Sequence, residues 1–206
     1  MNLFINWFES KDPVRQAELQ FCYDKNFSNG LFDNIINLQS GDEQPTYNRF
    51  FELMKQYPDD INVLANLDIY FDRTLELAAK ITTREAWCLT RWEYVTREDF
   101  PHLFTDLDGD EKVVFFEERN TQAPPQWSQD VWIVRGAPRV INADFSMGMP
   151  GCDNRLAWCF HSSGYIVRNP CLSMKCIHVH ASNWRDQTKI EDSVPKPYHK
   201  VMPERL

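Results

Sequence analysis

The sequence predicts an α/β protein with a mixed, mostly parallel sheet flanked by helices, and three observations carry that reading. Apolar runs of strand length recur at 3–8, 34–38, 61–67 and 86–93. Segments of helical periodicity lie between them. Gly, Pro and Asn punctuate the joins. The 206 residues, 43% hydrophobic and 14% aromatic, supply the core of one ordinary domain.

The elements follow in order. Residues 3–8 read as a buried strand. Asp12-Pro13 then offers a cap and a first-turn proline, Val14, Ala17, Leu19, Phe21 and Cys22 form a helical apolar face, and Asn29-Gly30 ends it. A second strand at 34–38 and the polar loop 40–44 precede a helix opened by Pro45, with Tyr47, Phe50, Phe51 and Met54 along one side. Residues 61–67 form the third strand, 73–81 the third helix and 86–93 the fourth strand. Beyond it lie the apolar run 113–116, the stop signal Ala123-Pro124-Pro125, and short strands at 131–134 and 141–145. A helix is expected over 153–161, with strands at 165–167 and 175–181. From Asp186 the chain is polar and proline-bearing, so residues 1–185 read as the domain and 186–206 as a tail that wraps the surface or stays mobile.

Composition excludes several classes. A net charge of −8 argues against a surface that coats nucleic acid, while leaving room for one basic groove. No apolar run has bilayer length, and the first residues lack a signal peptide's basic start and cleavage site, so a cytoplasmic protein is expected. Six cysteines without a CxxC pair give no thioredoxin-type site or paired zinc knuckle, and mostly reduced thiols are expected. Neither GxGxxG nor a Walker A lysine loop occurs, which disfavours dinucleotide oxidoreductases and P-loop enzymes.

Four motifs bear on chemistry. Asp106-Leu107-Asp108-Gly109-Asp110 has its glycine at position four, where an EF-hand needs it at six, so a solvated acidic loop is the better reading. Asn66 and Asp68 end the third strand two residues apart, at the sheet edge where ligands bind, and Asp68 is suited to a divalent cation bridging a diphosphate. The plainer alternative makes Asp68 and Asp72 caps of the next helix; for Asp72 the cap is favoured. Gly148-Met149-Pro150-Gly151-Cys152-Asp153-Asn154 builds a tight loop with an acid at a helix start, either a general base or an N-cap. Cys176, His178 and His180 alternate, so a strand places them on one face, as structural residues or as ligands. Zinc held by Cys171, Cys176, His178 and His180 is a competing arrangement that matches no common zinc framework.

Taken in this order, the motifs resemble the GT-A class of glycosyltransferases, and more closely small stand-alone GT-A-like proteins of bacteria and their phages. Asn66-Leu67-Asp68 is similar to the Asp-x-Asp metal motif with Asn in first place. The further segments Leu89-Thr90-Arg91-Trp92 and Ser128-Gln129-Asp130-Val131-Trp132 belong to the likeness, which spans about residues 1–185. The resemblance implies a nucleotide-sugar donor, a UDP-sugar foremost, and Mn²⁺ or Mg²⁺ held by Asp68 and His180, with His178 the lesser alternative. It implies Asp153 as the base toward the acceptor hydroxyl. Asn6, Trp7, Thr46, Tyr47 and Asn66 join Asp68 as donor-side residues, and Arg91, Trp92, Asp130 and Asn154 as sugar- or acceptor-side residues. The acceptor is a saccharide, another small hydroxyl compound or a hydroxymethylated base in phage DNA. The negative charge weighs against DNA. A non-catalytic nucleotide-sugar or carbohydrate binding module on the same fold is the alternative.

Overall fold

The computed structural model describes residues 1–38, 44–180 and 193–206. The chain runs through β1 (Asn2–Ile5), α1 (Pro13–Ser28), β2 (Asn34–Asn37), α2 (Tyr47–Met54), β3 (Ile61–Ala65), β4 (Ile69–Phe71), a 3₁₀ segment (Arg73–Lys80) and β5 (Glu85–Leu89). It continues through β6 (Trp92–Thr96), β7 (Glu111–Phe115), α3 (Phe116–Arg119), β8 (Val131–Arg135), α4 (Cys152–Ser162), β9 (Ile166–Arg168) and β10 (Cys176–His178). Six strands pair in the order β2-β1-β3-β8-β5-β9. All run the same way except β8, which is antiparallel to both neighbours. The predicted mixed, mostly parallel sheet is therefore present. A smaller sheet, β4-β10-β6-β7, stands beside it.

Alternation along the central strands splits the core in two. Leu3, Ile5, Val63, Ala65, Trp87, Leu89, Val131 and Ile133 face α1, the 3₁₀ segment and the small sheet. Phe4, Leu64, Ala86, Cys88, Trp132 and Val134 face α2 and α4. Period-two burial on both faces is what a sheet covered by two layers requires. No helix among the described residues is long and apolar enough to cross a membrane.

Several expected elements take a different form. α1 starts on Asp12 and Pro13 and ends at Asn29 as expected, but it buries Arg15, Glu18, Leu19, Cys22 and Asn26. Val14 is instead 56% exposed. The polar stripe turns inward because it has partners there. Asn26 donates to the Ile69 carbonyl at 2.8 Å and accepts from the Phe71 N–H at 3.1 Å, sealing the edge of β4. The expected strand 86–93 is two strands in two sheets. At Thr90 the next N–H is taken by the Asn169 side chain at 3.1 Å, so strand pairing stops and the chain crosses to the small sheet. Residues 141–145 are not a strand. The carbonyls of Ala143 and Phe145 accept from Asn48 and Tyr47, each at 3.1 Å, and so cap α2, to which Thr46 gives no side-chain cap. The expected helix over 73–81 is instead the 3₁₀ segment Arg73–Lys80, capped by Asp72 through the Thr74 N–H at 2.9 Å.

The expected tail boundary at 185/186 and most of the polar loop 40–44 lie outside the described residues. From 193 onward the tail wraps. Val194 and Val201 are buried against the α2–α4 side of the sheet, and the His199 N–H donates to the Asn154 carbonyl at 2.9 Å. The acidic loop 106–110 directs the Thr105 and Gly109 carbonyls at Arg97, at 3.1 and 3.2 Å. All six cysteines are free and buried, and Cys176 directs its sulfur at the Leu89 and Thr90 carbonyls, so no cysteine joins the histidines as the zinc alternative required.

Candidate active site

Asp68 owes its place to a corner. β3 ends at Ala65, the Ile69 N–H closes a turn on the Asn66 carbonyl at 3.2 Å, and the chain leaves in β4 for the small sheet. β10 pairs antiparallel with β4, His178 opposite Ile69, and the Val179 N–H donates to the Asp68 carbonyl at 3.0 Å. That register sets His178 and His180 on either side of Asp68. One ligand atom from each of the three lies within 4.8 Å of the other two. The two imidazoles stack, with centroids 5.4 Å apart.

The polar contacts leave two vacancies of bonding. Asp68 Oδ2 accepts from Arg15 and lies 3.2 Å from His178 Nε2, whereas Asp68 Oδ1 and His180 Nε2 are buried with no hydrogen-bond partner among the described residues. A carboxylate oxygen and an imidazole nitrogen left unsatisfied side by side fit a divalent cation. His178 Nδ1 is 2.8 Å from Glu93 Oε2, the carboxylate–imidazole arrangement that orients a metal-binding ring.

Charge around this cluster is balanced by a buried network. Glu93 accepts from Arg91 Nε at 2.7 Å, Arg119 Nη1 at 2.9 Å and Asn120 Nδ2 at 3.2 Å. Arg91 continues to Asp130 at 3.2 Å, and Asp130 accepts from Asn66 Nδ2 at 3.0 Å and Ser128 Oγ at 2.5 Å. Burial resists the charge on Asp68, but His178 and Arg15 hold it well below the usual carboxylate range. Burial and Arg91 oppose protonation of His178, and Asp68 and Glu93 outweigh them, so its pKa rises. Burial, then Arg15, pushes His180 down to about 4, so its ring is neutral at neutral pH.

Asp153 sits in the first turn of α4, whose N-cap is Gly151, so the acid is not the cap. Its carboxyl faces Tyr47 Oη at 3.4 Å and Cys152 Sγ at 3.5 Å. Burial, then the nearby charge of Asp130, raises its pKa to about 8. A carboxylate so tuned takes a proton near neutral pH. Asp130 links the two halves of the site, reaching Asn66 on one side and bearing on Asp153 on the other.

An open cleft reaches Asp68. Asn6, Arg15, Asn66, Asp68 and Gly148 line it, with Phe8, Leu19 and Met147. Trp7 and Thr46 do not: Trp7 packs edge-on against Tyr23 at 5.3 Å, and Thr46 pairs with Ser146 in a backbone bridge. Tyr47 turns to Asp153 instead of the cleft. Trp92 is in the small sheet, its Nε1 donating to the Cys171 carbonyl at 2.9 Å and Lys175 over its ring at 4.6 Å. Asn154 is buried, with Oδ1 unpartnered. Arg15, Glu93 and Arg119 were not anticipated from the sequence. The i,i+3 spacing of Arg15 and Glu18 is the one sequence signal that could have pointed to an ion pair there.

No protein-family model matches the chain, and no curated protein matches it. Among solved structures, the chain is similar to a glycosyltransferase involved in glycosylation of the major capsid of PBCV-1, at 8% identity. The match covers 92% of this chain and 96% of that one, with a TM-score of 0.43.

Proposed function

We propose that the protein is a GT-A-like glycosyltransferase that moves a sugar from a nucleoside-diphosphate donor, a UDP-sugar foremost, to a hydroxyl acceptor. The observation that carries the reading is a pair of buried atoms without a hydrogen-bond partner among the described residues, Asp68 Oδ1 and His180 Nε2, with Asp68 lining the cleft where β3 ends. A divalent cation held by Asp68, His180 and His178 would supply charge neutralisation for the departing diphosphate. Asn6 and Asn66 face the nucleotide from the cleft walls. Asp153 accepts the acceptor's proton, Tyr47 orients its carboxylate, and Asp130 keeps that carboxylate basic. Arg91 fixes Asp130 and gives the sugar-side wall its shape. A net charge of −8 favours a saccharide or small hydroxyl acceptor over DNA.

The test is a screen of nucleotide sugars with Mn²⁺, scoring donor hydrolysis and transfer by the wild type and Asp68→Asn. Turnover of one donor, lost in Asp68→Asn, is expected. Donor binding without turnover under every condition would instead identify a binding module.

A further inference from the structure

Arg15 is a guanidinium where hydropathy gives no reason for one. Its side chain is 10% exposed, it lies in the first turn of α1, and it lines the cleft with Asp68 and Asn66. Asp68 Oδ2 accepts from its Nη2, and its Nη1 donates to Glu18 Oε2 at 3.0 Å and to the Val179 carbonyl at 3.2 Å. Asp68 thus has a resident cation on one oxygen, while its other oxygen has no hydrogen-bond partner among the described residues. A buried carboxylate needs such a countercharge when nothing else is bound.

The same geometry sets up a competition. A divalent ion on Asp68 Oδ1 and His180 would stand one carboxylate's width from the guanidinium, and like charges repel strongly at that range where water is scarce. Asn66 brings no second negative charge to offset them, and its amide is spent on Asp130. An anion lying across both cations relieves the repulsion. A diphosphate has the charge and the reach, and the guanidinium fork matches phosphate oxygens.

We propose that Arg15 is a diphosphate-binding residue and the built-in rival of the divalent cation at Asp68. In the empty cleft it neutralises Asp68; with donor present it turns to the diphosphate as the cation takes the carboxylate. The inference rests on the glycosyltransferase reading for the identity of the ligand. Linkage then requires metal and diphosphate to tighten each other, metal alone to be held weakly, and diphosphate to keep some affinity without metal.

The full chain, its Arg15→Gln and its Arg15→Lys variants are titrated with Mn²⁺ alone, followed by electron paramagnetic resonance. They are also titrated calorimetrically with inorganic pyrophosphate in EDTA. Arg15→Gln should bind Mn²⁺ at least tenfold more tightly than wild type and lose at least tenfold in EDTA-resistant pyrophosphate affinity. Arg15→Lys should fall between the two, and it carries the comparison if Arg15→Gln does not fold. Unchanged or weaker Mn²⁺ binding, or unchanged pyrophosphate binding, in a folded variant overturns the inference even if wild type transfers sugar. The expected shifts beside a wild type that turns over no donor would uphold Arg15 and sink the transferase reading.

Discussion

Glu93 holds His178 from behind: Oε2 lies 2.8 Å from Nδ1, at a position 1% exposed. The imidazole is thereby fixed with Nε2 toward Asp68. Burial resists the charge on Glu93, and His178 and Arg91 keep it well below the ordinary carboxylate range. Glu93→Gln keeps the shape but leaves two buried arginines short of countercharge. A melting temperature lower by roughly 10 °C is expected, from ~3–5 kcal/mol for breaking a buried pair. Mn²⁺ affinity should fall about 10–100-fold as the ring loses its orienting partner. A melt and a Mn²⁺ titration on one preparation check both.

His178 and His180 should fail differently. His178→Ala leaves Asp68 and Glu93 facing each other without the ring between them, so it should lower stability as well as Mn²⁺ affinity. His180→Ala removes an Nε2 that has no hydrogen-bond partner among the described residues, while the His180 carbonyl keeps its bond from Arg119 at 2.8 Å. That variant should melt within a few degrees of wild type and lose Mn²⁺ binding. Intact Mn²⁺ binding in His180→Ala would remove it from the metal set.

Asp153 sets the pH dependence. Its folded value of about 8 lies above the ordinary carboxylate value, so the folded state binds the proton more tightly than the unfolded one. Its contribution to stability is full below about pH 4 and is lost as pH rises through 8. Transfer should run the other way, rising with pH to a plateau above about 8 as the base ionises. Asp153→Asn should flatten the fall in melting temperature over that window. It should also lower kcat by roughly 10²–10⁴ with donor affinity retained. A folded Asp153→Asn protein with wild-type kcat would make Asp130 the next candidate base.

Gly151 is required twice over. Its φ is +79°, and a Cβ there would lie 2.5 Å from the Tyr198 hydroxyl. Gly151→Ala should lower the melting temperature by roughly 5 °C or more, from ~1–2 kcal/mol of left-handed strain plus the clash. Tyr198→Ala in the same chain should recover the clash portion only. Strict additivity of the two changes would show that the tail does not press on this turn.

Local chemistry was readable where a residue acts on its own neighbours. Asp12-Pro13, the face of α2, Asp72 as a cap and the shared side of His178 and His180 all follow from spacing. What escaped depends on partners far along the chain. Arg15 and Glu18 look like a solvated pair until Asp68, more than fifty positions later, arrives to bury them. Residues 86–93 look like one strand because nothing local reveals that Asn169 will claim the Thr90 N–H. Glu93 looks like a surface acid until Arg91, Arg119 and His178 converge on it. Long-range charge pairing leaves no periodic trace.

Because β8 runs against its neighbours, its first residue, not its last, reaches the cleft edge, where Val131 pairs with Ala65. The chain between β6 and β8 is therefore a detour that departs from the small sheet and returns at Asp130. It can be lengthened or exchanged without cutting a single main-chain rung of the six-stranded sheet. This segment and the scaffold that bears Asp68 are thus separable parts of the fold. A new segment grafted between Thr96 and Ser128, with the Arg119 and Asn120 contacts to Glu93 preserved, would leave the six-stranded sheet that carries the Asp68 corner intact.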